Sequence, residues 1–172
     1  MMSEKLVAAL NAQIGMEAYA SFLYLSMSGW CEGKGLKGCG AFLRRQSNEE
    51  YQHMLKIIDY MLDVDQKPQI PSVAQPTGEF NSIVSLMQEV YEHEKKVTKS
   101  IHRLVEISNE TDDFDTFNFL QWYVTEQREE ESMMREILDK IKLIGDGAQS
   151  LYYIDKELEA INNRQLAADS KA

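Results

Sequence analysis

Residues 47–53 read SNEEYQH. Glu50 and His53 stand three apart, with Phe42 and Leu43 before them and Ile57 and Met61 after. At helical spacing all of these share one face, so an acid and an imidazole fall where a soluble protein should bury its core. The reading of the whole chain turns on why they are there.

The flanking sequence is helical over long distances. Three prolines and nine glycines in 172 residues leave room for long uninterrupted helices. Helix one is expected over about 3–32, with Ser3 as N-cap and GKGLKGCG as the break. Helix two, which carries SNEEYQH, is expected over about 39–63. VDQKPQIPSVAQPTGEF follows, holds every proline and lacks periodicity. Helices three and four are expected over about 81–108 and 113–144, with NETDD between them and GDG after them. A short helix is expected over about 149–164, with LAADSKA as a loose tail. Short connections make one–two and three–four antiparallel pairs, and the proline-bearing stretch is long enough to run the length of a bundle. The expected fold is all-α: a single domain over 1–172, a four-helix bundle with one long crossover and a short fifth C-terminal helix.

The apolar stripe of every long helix is interrupted near its middle. In helix one it runs Leu10, Ile14, Glu17, Ser21, Tyr24, Leu25; in helix two Phe42, Gln46, Glu50, His53, Ile57, Tyr60. Helix three gives Ile83, Met87, Val90, Glu94, Val97, Ile101, Leu104, Val105. Helix four gives Leu120, Val124, Gln127, then Glu130 or Glu131, Met134, Leu138, Ile141. One such acid could lie off-face and reach solvent. Four at one level are different, because burying an unpaired carboxylate costs several kcal/mol. No Arg or Lys obviously points inward at this level, so a cation is the expected counter-charge. Carboxylates with one ExxH pair are how a helical bundle holds two metals. One nitrogen among many oxygens, without thiolate, disfavours structural zinc and calcium and suits iron or manganese.

Composition limits the partners. A net charge of −10 argues against nucleic acid and anionic membrane. No apolar run approaches a membrane span, and MMSEKLVAAL lacks the form of a signal peptide. Cys31 and Cys39 are the only cysteines and form no zinc-binding pattern; two reduced thiols in a cytoplasmic protein are expected.

IGMEAYASFLYLSMSGWC (14–31), AFLRRQSNEEYQHM (41–54), EVYEHEKKVTKSI (89–101), FNFLQWYVTEQREEE (117–131) and LYYIDKEL (151–158) together resemble the non-haem bacterial ferritins over nearly the whole chain. The last segment is not a metal motif, so the resemblance exceeds shared metal chemistry. It implies a ferritin-like bundle. Glu17, Glu50 and His53 would form a first iron site; Glu50, Glu94 and Glu130 a second, with Glu50 shared and Gln127 close by. Glu49, Glu126, Glu129 and Glu130 resemble a third iron site towards an inner cavity. It favours Glu130 over Glu131, which periodicity sets slightly nearer the stripe. Tyr24 matches a tyrosine that supplies an electron during oxidation in this family, whereas Trp122 reads as a structural aromatic. Where bacterioferritins carry a second ExxH and a haem-ligating Met, this chain has QREE and Tyr51, so no haem is expected. Animal ferritins carry channel acids where this chain has Phe117 and Leu120.

The implied function is iron storage in a hollow shell of 24 identical subunits. Each subunit would bind two ferrous ions, oxidise them with dioxygen or hydrogen peroxide and pass ferric iron to a mineral inside. Two competing readings are a small-molecule di-iron oxygenase, which needs a substrate pocket beside the metals, and a structural bundle whose acids face solvent.

Overall fold

A computed structural model describes residues 2–170, apart from the side chain of Asp169. Five helices follow one another: α1 (Glu4–Gly33), α2 (Lys37–Asp63), α3 (Ile83–Glu110), α4 (Phe114–Ile144) and α5 (Ser150–Asp169). The first four are each about 40–46 Å long at ~1.5 Å per residue.

Local chemistry sets the boundaries. Ser3 caps α1 by accepting from the Leu6 amide, Ser82 and Ser85 form a reciprocal capping box on α3, and Asp113 caps α4 through the Thr116 amide. Gly145 ends α4 at φ 75°, a left-handed conformation that costs glycine nothing. The expected loose tail over 166–172 is corrected in its described part: α5 continues through Leu166 to Asp169, five residues beyond the expected end at 164, while 171–172 lie outside the described residues.

Cross-helix hydrogen bonds give the directions. Ser21 and Ser47 exchange hydroxyl-to-carbonyl bonds of 2.8 and 2.7 Å, and Ser28 reaches the Gly40 carbonyl, so α1 and α2 are antiparallel. Gln46 to Glu130, Tyr123 to the His53 carbonyl and Tyr60 to Thr116 make α2 and α4 antiparallel neighbours. The crossover runs along α1 from bottom to top. Gln69 donates its amide to Asn11, Pro71 lies against Gly15, Thr77 accepts from Ser26, and Phe80 packs edge-on to Trp30. At Gly15 the approach is close enough that a Cβ would stand 2.7 Å from the Pro71 ring.

The buried seams follow a strict alternation of four and three residues. They read Leu6, Leu10, Gln13, Glu17, Ala20, Tyr24, Met27, Cys31 on α1 and Cys39, Leu43, Gln46, Glu50, His53, Ile57 on α2. On α3 they read Ile83, Met87, Val90, Glu94, Val97, Ile101, Leu104, Ser108, and on α4 Thr116, Leu120, Tyr123, Gln127, Glu130, Met134, Ile137, Ile141. The period is 3.5, that of helices packed at a small left-handed angle. A stripe drawn at 3.6 residues per turn drifts off this seam. Hence Tyr123 and Ile137 are buried where Val124 and Leu138 were expected, and those two are half-buried. Leu25 is exposed, and Tyr60 and Val105 are half-buried.

The core falls into two apolar clusters. One holds Tyr24, Met27, Phe42, Leu86, Met134 and the inner face of α5; the other holds Leu6, Leu10, Ile57, Val97, Ile101 and Tyr123. Between them lies a buried polar layer that includes Glu17, Glu50, His53, Glu94 and Glu130. Helix α5 closes the upper end. Its Asp155 accepts from the Cys39 amide at 2.9 Å and caps α2, whose own N-cap residue, Leu36, offers no side-chain bond. This gives LYYIDKEL a structural role. Cys31 and Cys39 are buried there as free thiols, and burial pushes the Cys31 thiol up to about 12.

Candidate metal centre

Each long helix delivers one carboxyl to the polar layer. Glu17, Glu50 and Glu94 are wholly buried and Glu130 nearly so. Glu17, Glu50 and His53 each offer a ligand atom, and these atoms all lie within 4.8 Å of one another. No other trio of His, Cys, Asp or Glu among the described residues is grouped this closely. His53 Nδ1 is 3.5 Å from Glu50 Oε2, both on α2 one turn apart.

Neutral donors hold these acids. Gln13 donates to Glu17 at 2.8 Å, Gln46 to Glu130 at 2.9 Å and Gln127 to Glu94 at 3.0 Å. Tyr24, itself fully buried, donates its hydroxyl to Glu94. The His53 ring is wedged edge-on between Trp122 and Tyr123, and the Tyr123 hydroxyl bonds the His53 carbonyl at 2.6 Å. Trp122 is 39% exposed, and Lys56 lies 4.4 Å over its ring, so it acts as the wall that orients the imidazole.

The electrostatics are those of a cluster without a counter-charge. Burial raises the Glu17 carboxyl to about 7, and it raises Glu50, Glu94 and Glu130, with their mutual repulsion adding to it for Glu50 and Glu130. The approach of the two carboxyls raises Glu50 and lowers Glu17 against the upward push of burial. Burial lowers His53 to about 4, so at neutral pH its imidazole is an uncharged donor of a lone pair. Both oxygens of Glu50, Oε2 of Glu17 and Nδ1 of His53 have no other hydrogen-bond partner. Unpaired buried polar atoms that converge on one point suit a metal ion.

The remaining acids lie on the α2/α4 side. Glu126 Oε1 is 3.8 Å from His53 Nε2, and burial followed by the Glu129 charge raises its pKa. Glu49 is gripped by both terminal nitrogens of Arg45, at 2.6 and 2.8 Å, and Arg45 also donates to Gln46. An open groove lined by Glu49, Gln52, His53, Lys56, Trp122 and Glu126 leads inward to the imidazole. Of the two candidates on α4, Glu130 is buried in the layer while Glu131 pairs with Arg135 at 3.6 Å. The 3.5-residue seam selects Glu130.

A family model for the ferritin-like domain matches residues 7–144, the four bundle helices with the crossover. The chain belongs to the ferritin family. It is 47% identical over 161 residues to a bacterial non-heme ferritin of Campylobacter jejuni, covering 94% of this chain and 96% of that one. To a bacterial non-heme ferritin of Escherichia coli it is 42% identical over 164 residues, covering 95% and 99%. The open pore ferritin of Archaeoglobus fulgidus superimposes with a TM-score of 0.89 at 44% identity, over 92% of this chain and 96% of that one. Like other ferritins, this chain serves iron storage. Sequence reasoning missed the supports of this ferritin's site. Gln13 lies four residues before Glu17, and that spacing was its available signal; Gln46 was in the stripe, but its bond runs across to α4.

Proposed function

We propose that this ferritin is a di-iron ferroxidase. Glu17, Glu50 and His53 take one ferrous ion; Glu50, Glu94 and Glu130 take the second, with Gln127 beside Glu94. The observation that carries this reading is the buried layer of four carboxyls, of which Glu17 and Glu50 close on the neutral His53 imidazole, with Glu17, Glu94 and Glu130 held by neutral donors. Divalent ions supply the positive charge that this buried layer of carboxyls lacks. Hard anionic oxygens then favour the ferric over the ferrous state, so binding itself assists oxidation. Two ferrous ions supply the two electrons that, with two protons, turn one dioxygen into hydrogen peroxide; hydrogen peroxide serves as the alternative oxidant. Tyr24 supplies a further electron through its contact with Glu94.

Glu49, Glu126, Glu129 and Glu130 form a third iron site on the α2/α4 side, a station for ferric iron on its way to the mineral. The groove that reaches His53 carries charged side chains, which suit a hydrated ion better than an apolar substrate. No helix among the described residues is long and apolar enough to cross a membrane. The assembly we propose is a cytoplasmic shell of 24 copies, without haem, nucleic acid or membrane partners.

Anaerobic titration of the metal-free protein with ferrous iron should show two tight ions per chain ahead of any weaker binding. Mixing with oxygen should then produce a fast absorbance change that saturates at that ratio, and size-exclusion with light scattering should give the mass of the shell. A mass of one or two chains, or no stoichiometric binding, would overturn the reading.

A further inference from the structure

The α2/α4 side of the paired site carries an open groove and acids that suit iron traffic. On the α1/α3 side a chain of aromatic rings leads out instead. The Tyr24 ring meets the His93 ring edge-on, with centroids 6.0 Å apart and planes at 87°. His93 in turn meets Tyr19 at 5.7 Å and 49°. Both distances are those of rings in direct contact. Tyr24 is wholly buried, whereas Tyr19 is half-buried and reaches the bundle surface. His93 Nε2 is buried without a hydrogen-bond partner, so this nitrogen does nothing to anchor the ring that lies between the two phenols.

We propose that Tyr19 is an electron-relay residue that refills Tyr24 through the ring of His93. The proposal rests on the reading of Tyr24 as an electron donor. When Tyr24 gives an electron to the oxidant at the paired site, its hydroxyl proton leaves along the existing bond to Glu94. An electron then crosses from Tyr19 to Tyr24, the proton returns from Glu94, and Tyr19 releases its own phenolic proton to water. Tyr24 is again a phenol and Tyr19 is the phenoxyl radical. A ferrous ion at the surface, becoming ferric, and a proton from water restore Tyr19. The relay brings electrons in on the face opposite the acids that take iron away, so donor and product do not compete for one path.

Freeze-quench electron spin resonance after mixing ferrous-loaded protein with oxygen tests this. The parent protein should show a tyrosyl signal that forms and decays, and Tyr24→Phe should abolish it. Tyr19→Phe keeps the ring and its packing, and the Tyr24 signal should persist severalfold longer in it. His93→Leu, which removes the intervening ring, should prolong the signal likewise. Tyr153→Phe, on exposed α5, should decay as the parent does. Parent-like decay in Tyr19→Phe would overturn the relay while leaving Tyr24 as donor. A parent without any tyrosyl signal, or a signal that survives Tyr24→Phe, would overturn the reading of Tyr24 and the relay with it.

Discussion

Glu17→Gln should make the metal-free protein more stable and the iron-bound protein less so. The substitution keeps the shape of the side chain, and Gln13 can still donate to the retained oxygen. What it removes is a carboxyl that burial raises from 4.5 to about 7. In the unfolded chain this group ionises near 4.5, so between 4.5 and about 7 the folded state holds a proton that the unfolded state has lost. Its contribution is therefore fully present below 4.5 and is lost as pH rises through about 7. At ~1.4 kcal/mol per pH unit, the ionised form at pH 8 costs the fold about 3 kcal/mol, against about 1 kcal/mol at pH 5. His53 and His93, both lowered to about 4 by burial, act in the opposite sense: they cost stability as pH falls below 6.5. They are common to both proteins and cancel in the difference. For a chain of this size the melting temperature of the metal-free variant should exceed that of the parent by roughly 6–12 °C at pH 8, and by about a third of that or less at pH 5. Calorimetry on chelator-treated protein at the two pH values gives both numbers. Adding ferrous iron under argon should reverse the order once the site is filled to ~1,000 times its dissociation constant, which stabilises the parent by about 4.1 kcal/mol, more than the variant's advantage, while the variant has lost a ligand. A gain of equal size at both pH values would show that the burial of charge at Glu17 is not its source. A loss at pH 8 would show that the carboxylate is already satisfied without metal.

His53→Ala should slow dioxygen-dependent oxidation by an order of magnitude or more in stopped-flow absorbance, because one ion of the pair loses its nitrogen ligand. Assembly should persist by light scattering, with about 1–3 kcal/mol of stability lost to the cavity between Trp122 and Tyr123. Glu49→Ala and Glu126→Ala should leave the fast phase for the first two irons in place and change the stoichiometry of later turnover; loss of the fast phase would merge the third site with the pair. Gly38→Ala should lower the melting temperature. Its Cβ would stand 2.2 Å from the Asp155 carbonyl oxygen and 2.9 Å from Glu159 Cβ, forcing α5 away and breaking the Asp155 cap on Cys39, at about 2–4 kcal/mol.

Much of this architecture was legible because the acids contradict their surroundings. Glu17, Glu50 and Glu94 stand in apolar stripes clear enough to make each an anomaly, and the proline-bearing stretch declared itself as a crossover by its length. Helix α4 was less legible. Its seam advances by 3.5 residues, a property of how it packs on its neighbours, and an isolated helix at 3.6 cannot choose between Glu130 and Glu131 or between Tyr123 and Val124. The continuation of α5 past 164 escaped notice because LAADSKA is small and polar, though its first residues are compatible with helix. The grip of Arg45 on Glu49 and the reach of Gln46 to Glu130 depend on rotamers and on a neighbouring helix, and neither leaves a mark on spacing alone.

The choice of supports explains how the fold tolerates the layer. A buried Lys or Arg among these carboxyls would repay part of their desolvation, but it would occupy the position that a metal ion must take. Here the hydrogen bonds to Glu17, Glu94 and Glu130 come from Gln13, Tyr24, Gln127 and Gln46, all of them neutral. A neutral donor fixes an oxygen in space without cancelling its charge. The Arg45 guanidinium pairs with Glu49 on the α2/α4 side and donates to Gln46, which in turn donates to Glu130. Burial therefore favours the protonated form of Glu17, Glu50, Glu94 and Glu130 when no metal is bound, and a divalent ion can displace a proton where it could not displace an arginine. Stability comes from the two apolar clusters above and below, so the layer between them is free to remain a site that the chain alone leaves unsatisfied.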